Sequence, residues 1–233
     1  MRSLGLLGGM SWESTAEYYR LLNQGVAARL GGLHSAKLLI HSVDFAEIAR
    51  LQQTEQWDRA GLQLSAAAAV LERAGAEAIV LCTNTMHNVA RTIERGLTIP
   101  LLHIVDPTGS AMQRAGVRRA GLLGTRYTME LPFWRERLTQ RFGIDLLVPD
   151  EQARADVHRI IYDELCRGQV TDASRARYVE IINELNEAGA DAVILGCTEI
   201  GLLIGEDDSP VPTFDTTRLH VCAALDFTLA SMT

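Results

Sequence analysis

The sequence predicts an α/β fold of two pseudo-symmetric lobes, each a parallel sheet flanked by helices, with an active-site cleft between them. Two observations lead to it: short apolar runs alternate with longer segments of helical period, and one block of sequence recurs in the second half of the chain. The runs Leu4–Leu7, Ala36–Val43, Ala78–Leu81, Leu101–Val105, Ala120–Leu123, Ile144–Val148, Ala192–Leu195 and Val211–Phe214 read as strands. Most are continuously apolar rather than alternating, which suits parallel strands covered on both faces. Between them lie amphipathic segments such as Trp12–Leu30, Ala60–Ala74, Met129–Phe142, Asp156–Arg167 and Arg175–Ala188. The first has two candidate N-caps, Ser11 and the capping-box spacing Ser14-Thr15-Ala16-Glu17. Strand and helix in alternation give parallel sheets with crossover connections.

The recurring block is LERAGAEAIVLCT, from Leu71 to Thr83, against LNEAGADAVILGC, from Leu185 to Cys197. Without a gap, Leu71, Ala74, Gly75, Ala76, Ala78 and Leu81 meet identical residues 114 positions later. Gly5-Leu6-Leu7-Gly8 similarly matches Gly121-Leu122-Leu123-Gly124, and Ile99-Pro100 with Asp106-Pro107-Thr108 loosely matches Val211-Pro212 with Asp215-Thr216. Three blocks in one order imply duplicated halves, and two copies are too few for a solenoid. The expected lobes are 1–104 with 216–233, and 105–215.

Composition narrows the function. In 233 residues the formal charge is −7, with 47% hydrophobic residues. A nucleic-acid binder needs a basic face, so nucleic acid is not an expected partner. No apolar run suits a membrane span and the start is too short for a signal peptide, so no membrane partner and a cytoplasmic location are expected. Cys82, Cys166, Cys197 and Cys222 form no C-x-x-C pair, which argues against disulfides and a redox centre. The six histidines show no ligand spacing, and no metal is expected. Dinucleotide, P-loop and G-x-S-x-G signatures are absent from the sequence.

In open α/β sheets ligands bind at the carboxyl ends of strands. The repeated strands end in Cys82-Thr83-Asn84-Thr85 and Gly196-Cys197-Thr198-Glu199, and the ungapped register sets Thr83, not Cys82, opposite Cys197. A hydroxyl and a thiol serving one cleft would suit racemisation, in which one group removes the α-proton and another returns a proton to the opposite face. Cys197 is then the base, its thiol expected to ionise readily at a helix N-terminus, and Thr83 the proton donor. The alternatives are a buried thiol for Cys197 and a helix N-cap for Thr83. Cys82 reads as strand packing, while Cys166 and Cys222 fall in helical periodicity and read as core. His87 either orients the first motif by hydrogen bonding or is a structural histidine.

Backbone donors for a substrate carboxylate would come from Gly9-Met10-Ser11, from the start of the helix after Asn84-Thr85, and from Thr198-Glu199. Glu199 could accept from the substrate ammonium, and Thr125 lies where a loop donor would stand.

The segments Gly5-Leu6-Leu7-Gly8-Gly9-Met10-Ser11-Trp12-Glu13-Ser14-Thr15, Cys82-Thr83-Asn84-Thr85-Met86-His87, Gly124-Thr125 and Gly196-Cys197-Thr198-Glu199 together resemble the aspartate/glutamate racemase superfamily, specifically its PLP-independent amino-acid racemases. The resemblance runs over the whole chain. It implies two α/β lobes, no cofactor, one acid/base residue per lobe and a small-molecule amino-acid substrate. It extends ligand roles to Met10, Asn84, Thr85, Thr125 and Thr198, and suggests Gln52 as a contact for a side-chain carboxylate. Relatives usually carry Cys where this chain has Thr83, and some aspartate racemases carry Lys where it has Cys166, so one cationic anchor is missing. Members often form two-fold dimers, which allows a homodimer here. The expected activity is cofactor-independent interconversion of L- and D-aspartate or glutamate, with asymmetric kinetics from the Thr/Cys pair. The competing readings are a broad-specificity racemase, a cysteine-dependent decarboxylase or maleate isomerase of the same superfamily, and a non-catalytic small-anion binding protein.

Overall fold

The structure, a computed structural model, describes residues 1–230. Its strands are β1 (Leu4–Gly8), β2 (Leu38–Ser42), β3 (Ala78–Leu81), β4 (Leu101–Leu102), β5 (Arg119–Gly124), β6 (Asp145–Leu147), β7 (Ala192–Gly196) and β8 (Thr213–Asp215). Its α-helices are α1 (Trp12–Leu30), α2 (Phe45–Gln53), α3 (Trp57–Arg73), α4 (Ala90–Arg95), α5 (Val105–Arg114) and α6 (Arg126–Glu130), followed by α7 (Phe133–Phe142), α8 (Glu151–Asp163), α9 (Asp172–Glu187), α10 (Ile200–Leu203) and α11 (Thr216–Leu229). Two sheets form, ordered β2-β1-β3-β4 and β6-β5-β7-β8, and every pairing is parallel. The fold is therefore α/β with two parallel four-stranded sheets flanked by helices. The chain divides into two compact units, Met1–Ile104 with the segment from His220, and Val105–Leu219, the division falling inside α11.

In the first unit the central strands are buried on both faces, as their continuous apolar character requires. The two-residue period of a strand sorts them. Leu4, Leu6, Ala78, Val80 and Cys82 pack with Tyr18, Leu22 and Val26 of α1 and with Val221 and Leu225 of α11. Leu7, Ile79 and Leu81 face the other way, toward Ile48 of α2, Leu64 and Leu71 of α3, and Ile93 of α4. In the second unit Trp134 and Leu138 of α7 and Tyr178 and Ile181 of α9 are fully buried, and so is every residue of β7.

Local chemistry sets the helix boundaries. Of the two candidate caps, Ser11 opens α1, accepting from the Ser14 amide at 3.3 Å. The segment 129–142 is two helices rather than one. Pro132 has no amide hydrogen and drives Leu131 into extended backbone (φ −73°, ψ 147°), so α6 stops and α7 begins anew. The segment 156–167 likewise ends early. α8 stops at Asp163, and Cys166 lies on a separate 3-10 turn, Leu165–Arg167, closed by left-handed Gly168.

The sequence repeat has a physical counterpart in each unit. A Cβ on Gly5 would stand 3.1 Å from Leu71 Cβ and 3.0 Å from Ala76 Cβ; one on Gly121 would stand 2.8 Å from Leu185 Cδ1. Both glycines thus let the helix before the repeated strand of their own unit, α3 or α9, close onto the sheet through the repeated leucine. Alanine at either position should overpack this contact and cost about 1–3 kcal/mol, read as a lowered urea midpoint with unchanged slope.

Candidate active site

In each sheet the chain leaves the second strand in the order on one side and resumes on the other: β1 is followed by β2 and then β3, and β5 by β6 and then β7. At such a switch point the connections diverge beyond the carboxyl ends of the two central strands and leave room for a ligand. The residues after β1 and β3 are Gly9-Met10-Ser11 and Cys82-Thr83-Asn84; those after β5 and β7 are Thr125 and Cys197-Thr198-Glu199.

In the first unit the ladder hydrogen bonds run out at Cys82, whose amide donates to Leu7 O at 2.9 Å. The Thr83 amide then folds back onto Leu81 O at 2.9 Å, a three-residue turn that separates Thr83 from the strand. Cys82 stays in the core, its Sγ donating to Val80 O at 3.6 Å, and desolvation pushes its thiol far above its ordinary range. Asn84, not Thr83, occupies the N-cap position of the 3-10 helix Thr85–Val89. The Thr83 carbonyl accepts from His87 Nδ1 at 2.8 Å. Thr83, Asn84 and Thr85 are all buried. At the β1 end, the Gly9 amide donates to Thr15 Oγ1 at 2.8 Å and Thr15 Oγ1 donates to Ser11 O at 3.0 Å, which fixes the loop. The Met10 side chain lies in the same hydrophobic cluster as Met86, so what it can offer a ligand is its backbone. Gln52, in the last turn of α2, is buried; its Nε2 donates to Met86 Sδ at 3.0 Å, and its Oε1 has no hydrogen-bond partner among the described residues. A buried acceptor left this way costs stability until something donates to it.

In the second unit Cys197 is partly buried, and its Sγ donates to Glu199 Oε2 at 3.0 Å. The expected easy ionisation of this thiol is not found. Desolvation, then the Glu199 carboxylate and Cys166, hold it well above its ordinary value. The helix that follows, α10, is a single turn of four residues, too short for its dipole to offset these effects. Glu199 is itself buried. The Thr125 hydroxyl caps α6, accepting from the Thr128 amide at 3.2 Å. Tyr162 and Tyr178 also lie within electrostatic reach of Cys197 and Glu199; neither is legible as a neighbour in the sequence, because they come from α8 and α9.

The other expectations for cysteine are partly corrected. Cys222 is exposed rather than core, because Val221, Ala224, Leu225 and Thr228 form the buried stripe of α11 and Cys222 lies off it with Asp226. Cys166 is half-buried on its 3-10 turn. The sequence reading also missed a cluster in the first unit, where His103 and His220 approach His87 with ring centroids 4.6 and 5.8 Å away. Residues 16 and 133 positions from His87 carry no local signature of such a contact. Among the described residues no group of three or more His, Cys, Asp or Glu is arranged to hold a metal, and no helix is long and apolar enough to cross a membrane.

Comparison with known proteins decides the family. A family model described as Asp/Glu/Hydantoin racemase matches residues 7–224. The chain belongs to this family. The solved structure of a provisionally assigned Asp/Glu racemase from Yersinia pestis is 53% identical over 98% of this chain and 100% of that one, with a TM-score of 0.92. The structure of an aspartate racemase homologue from Pyrococcus horikoshii OT3 is 32% identical over 98% of this chain and 99% of its own, with a TM-score of 0.85. Among curated sequences, a broad specificity amino-acid racemase of Bacillus subtilis is 25% identical over 146 residues, 63% of this chain and 62% of that relative. The α/β architecture of two parallel four-stranded sheets is thus that of the racemase family.

The contact between Cys197 and Glu199 has a measurable consequence. Glu199→Gln removes the negative charge and leaves a weaker acceptor, so the Cys197 thiol should ionise at lower pH. Alkylation by iodoacetamide, mapped by peptide, should be several-fold faster at Cys197 at pH 7 in the variant, its pH midpoint moving down. Cys82 should stay unreactive in both proteins and Cys222 should react at an unchanged rate.

Proposed function

We propose that the protein is a cofactor-independent amino-acid racemase that interconverts L- and D-aspartate or glutamate by two proton transfers at Cα, with Cys197 as base and Thr83 as proton donor. The observation that carries this reading is positional. Thr83 follows β3 and Cys197 follows β7, the equivalent strand of each sheet, at the switch point and at matched places in the internal repeat. Racemisation breaks the Cα–H bond on one face and makes a new one on the other, so it needs two groups of which one can accept and one can donate. In the reaction the Cys197 thiolate takes the α-proton and the electron pair stays on Cα, spread into the α-carboxylate. The Thr83 hydroxyl delivers a proton to the opposite face and is reprotonated from water. Before the step the thiol proton leaves Cys197 by way of Glu199, already the acceptor of its S–H, and passes on to water, so that Glu199 is again a carboxylate when it holds the ammonium.

Backbone amides at Met10, Asn84-Thr85 and Thr198 are suited to the α-carboxylate, and Glu199 to the ammonium. Thr125 caps α6 through its hydroxyl and so contributes to the site by holding its loop. Gln52 is suited to the distal side-chain group of the substrate, through its unpartnered Oε1 to a donor or through its amide nitrogen, after a flip, to a carboxylate.

The alcohol and the thiol make the enzyme asymmetric. The enantiomers are equal in free energy, so kcat/KM must be equal in the two directions; the asymmetry falls on kcat, KM and solvent isotope exchange taken separately. A broader substrate range is favoured by one observation: Cys166, at the place where some aspartate racemases carry lysine, lies close enough to Cys197 to act on it, so that a thiol and not a cation stands there.

Incubation of enantiopure aspartate and glutamate in D₂O, followed by NMR and chiral chromatography, tests the proposal. The expected result is α-deuteration with appearance of the opposite enantiomer, slowed about 10²–10⁴-fold in Cys197→Ser. Thr83→Cys should even out exchange into the two enantiomers. Binding without exchange would establish a small-anion binding protein instead, and turnover of a malonate derivative or maleate without α-exchange would establish a decarboxylase or isomerase of the same superfamily.

A further inference from the structure

We propose that His87 is a positioning residue for Thr83, a neutral imidazole locked in one tautomer that fixes the turn from which the Thr83 hydroxyl acts. The proposal rests on the racemase reading for the role of Thr83, but its geometry lies within the first unit. The Ile104 amide donates to His87 Nε2 at 3.2 Å, and an amide can only donate, so Nε2 carries the lone pair. The proton is therefore on Nδ1, which donates to the Thr83 carbonyl at 2.8 Å. One ring thus ties the exit of β3 to the residue that precedes α5. With the Thr83 amide already bonded to Leu81 O, both backbone polar groups of Thr83 are held.

A second layer holds the ring. His220 of α11 bonds through Nε2 to the Leu102 carbonyl at 2.6 Å, which assigns the proton to Nε2 and leaves Nδ1 to accept from the Tyr18 hydroxyl at 2.9 Å. His103 and His220 meet the His87 ring edge-on, at centroid distances of 4.6 and 5.8 Å. Protonation of His87 would set an N–H against the Ile104 N–H, and burial together with the two neighbouring imidazoles holds its pKa well below the ordinary value. The site calls for a donor on one side of a flat ring and an acceptor on the other. An asparagine places a donor where Nδ1 stands, and a glutamine places an acceptor where Nε2 stands, but neither does both.

The test separates Thr83 from Cys197 by stereochemistry. In D₂O, a Cα proton removed by Cys197 and returned by it gives deuteration with retention, which does not involve Thr83; inversion requires Thr83. His87→Gln keeps the acceptor for Ile104 but loses the donor to Thr83, and should slow inversion about ten- to hundredfold through kcat while retention exchange and KM hold. His87→Asn restores the donor and should recover inversion to within about threefold. In the wild type, ¹⁵N spectra of His87 should show a protonated Nδ1 and an unprotonated Nε2 unchanged from pH 5 to 8. Equal loss of inversion in both variants, parallel loss of retention and inversion, or a His87 ring that titrates in this range would overturn the proposal. Wild type lacking exchange of either kind fails the racemase reading itself, and the ¹⁵N tautomer then still decides whether His87 holds the Thr83 turn.

Discussion

A parallel ladder whose central strands are buried on both faces leaves no room for a polar side chain along its length. β1, β3 and β7 are buried at every position, so any group meant for a ligand must wait until the ladder ends. The last ladder bond of β3 is made by the Cys82 amide, and one residue later the backbone turns and releases Thr83. Cys197 stands directly after Gly196, whose own pairing to Gly124 closes the β5–β7 ladder. The position of both groups therefore follows from where hydrogen bonding between the central strands gives out. The switch in strand order turns each of those places into a concave end rather than a flat edge.

Duplication supplies two such ends with the same scaffold and different terminal chemistry. The glycine–leucine contact is kept in both halves, Gly5 with Leu71 and Gly121 with Leu185, because it sets how closely a helix can approach its sheet. The residues past the strands are free of that constraint and have diverged. Thr83 is held through its backbone, by Leu81 on one side and His87 on the other, whereas Cys197 is held through its side chain by Glu199. A hydroxyl needs only correct placement to donate a hydrogen bond, and a backbone clamp gives placement. A thiol that is to become a base needs somewhere to send its proton, and a carboxylate at 3.0 Å gives that.

What could be read from the chain alone was what is periodic or repeated. The eight strands and the packing of Cys82 in the core follow from alternation or from the register of the repeat, whereas the cap of α1 stays open in the sequence between Ser11 and Ser14. The break at Pro132 was also written in the sequence, since a proline forbids the helix around it, but the apolar period on both sides concealed it. Cys222 departs from the core by phase, one residue off the buried stripe of α11. The state of Cys197 was out of reach for a different reason. Glu199 was visible two residues on, but that its carboxylate turns back to the sulfur, and that Cys166 and two tyrosines from α8 and α9 crowd the same place, depends on tertiary packing. The histidine cluster is the extreme case, assembled from residues 87, 103 and 220 by the pairing of β3 with β4 and the packing of α11 on the sheet.

The raised pKa of Cys197 is in keeping with a base for a carbon acid. A Cα–H bond is weakly acidic, and a thiolate made easy to form by a strong cationic field would be correspondingly poor at taking its proton, because basicity falls as pKa falls. Burial and the adjacent carboxylate work the other way: they keep the thiol protonated at rest and make the thiolate, once formed, a stronger base. The charge that permits its formation can come from the substrate, whose ammonium group would be drawn to Glu199 and would offset the repulsion between that carboxylate and the sulfur. On this reading the thiol is quiet in the free protein and becomes reactive when an amino acid arrives, so that the acidic neighbour which looks adverse in isolation couples substrate binding to activation of the base.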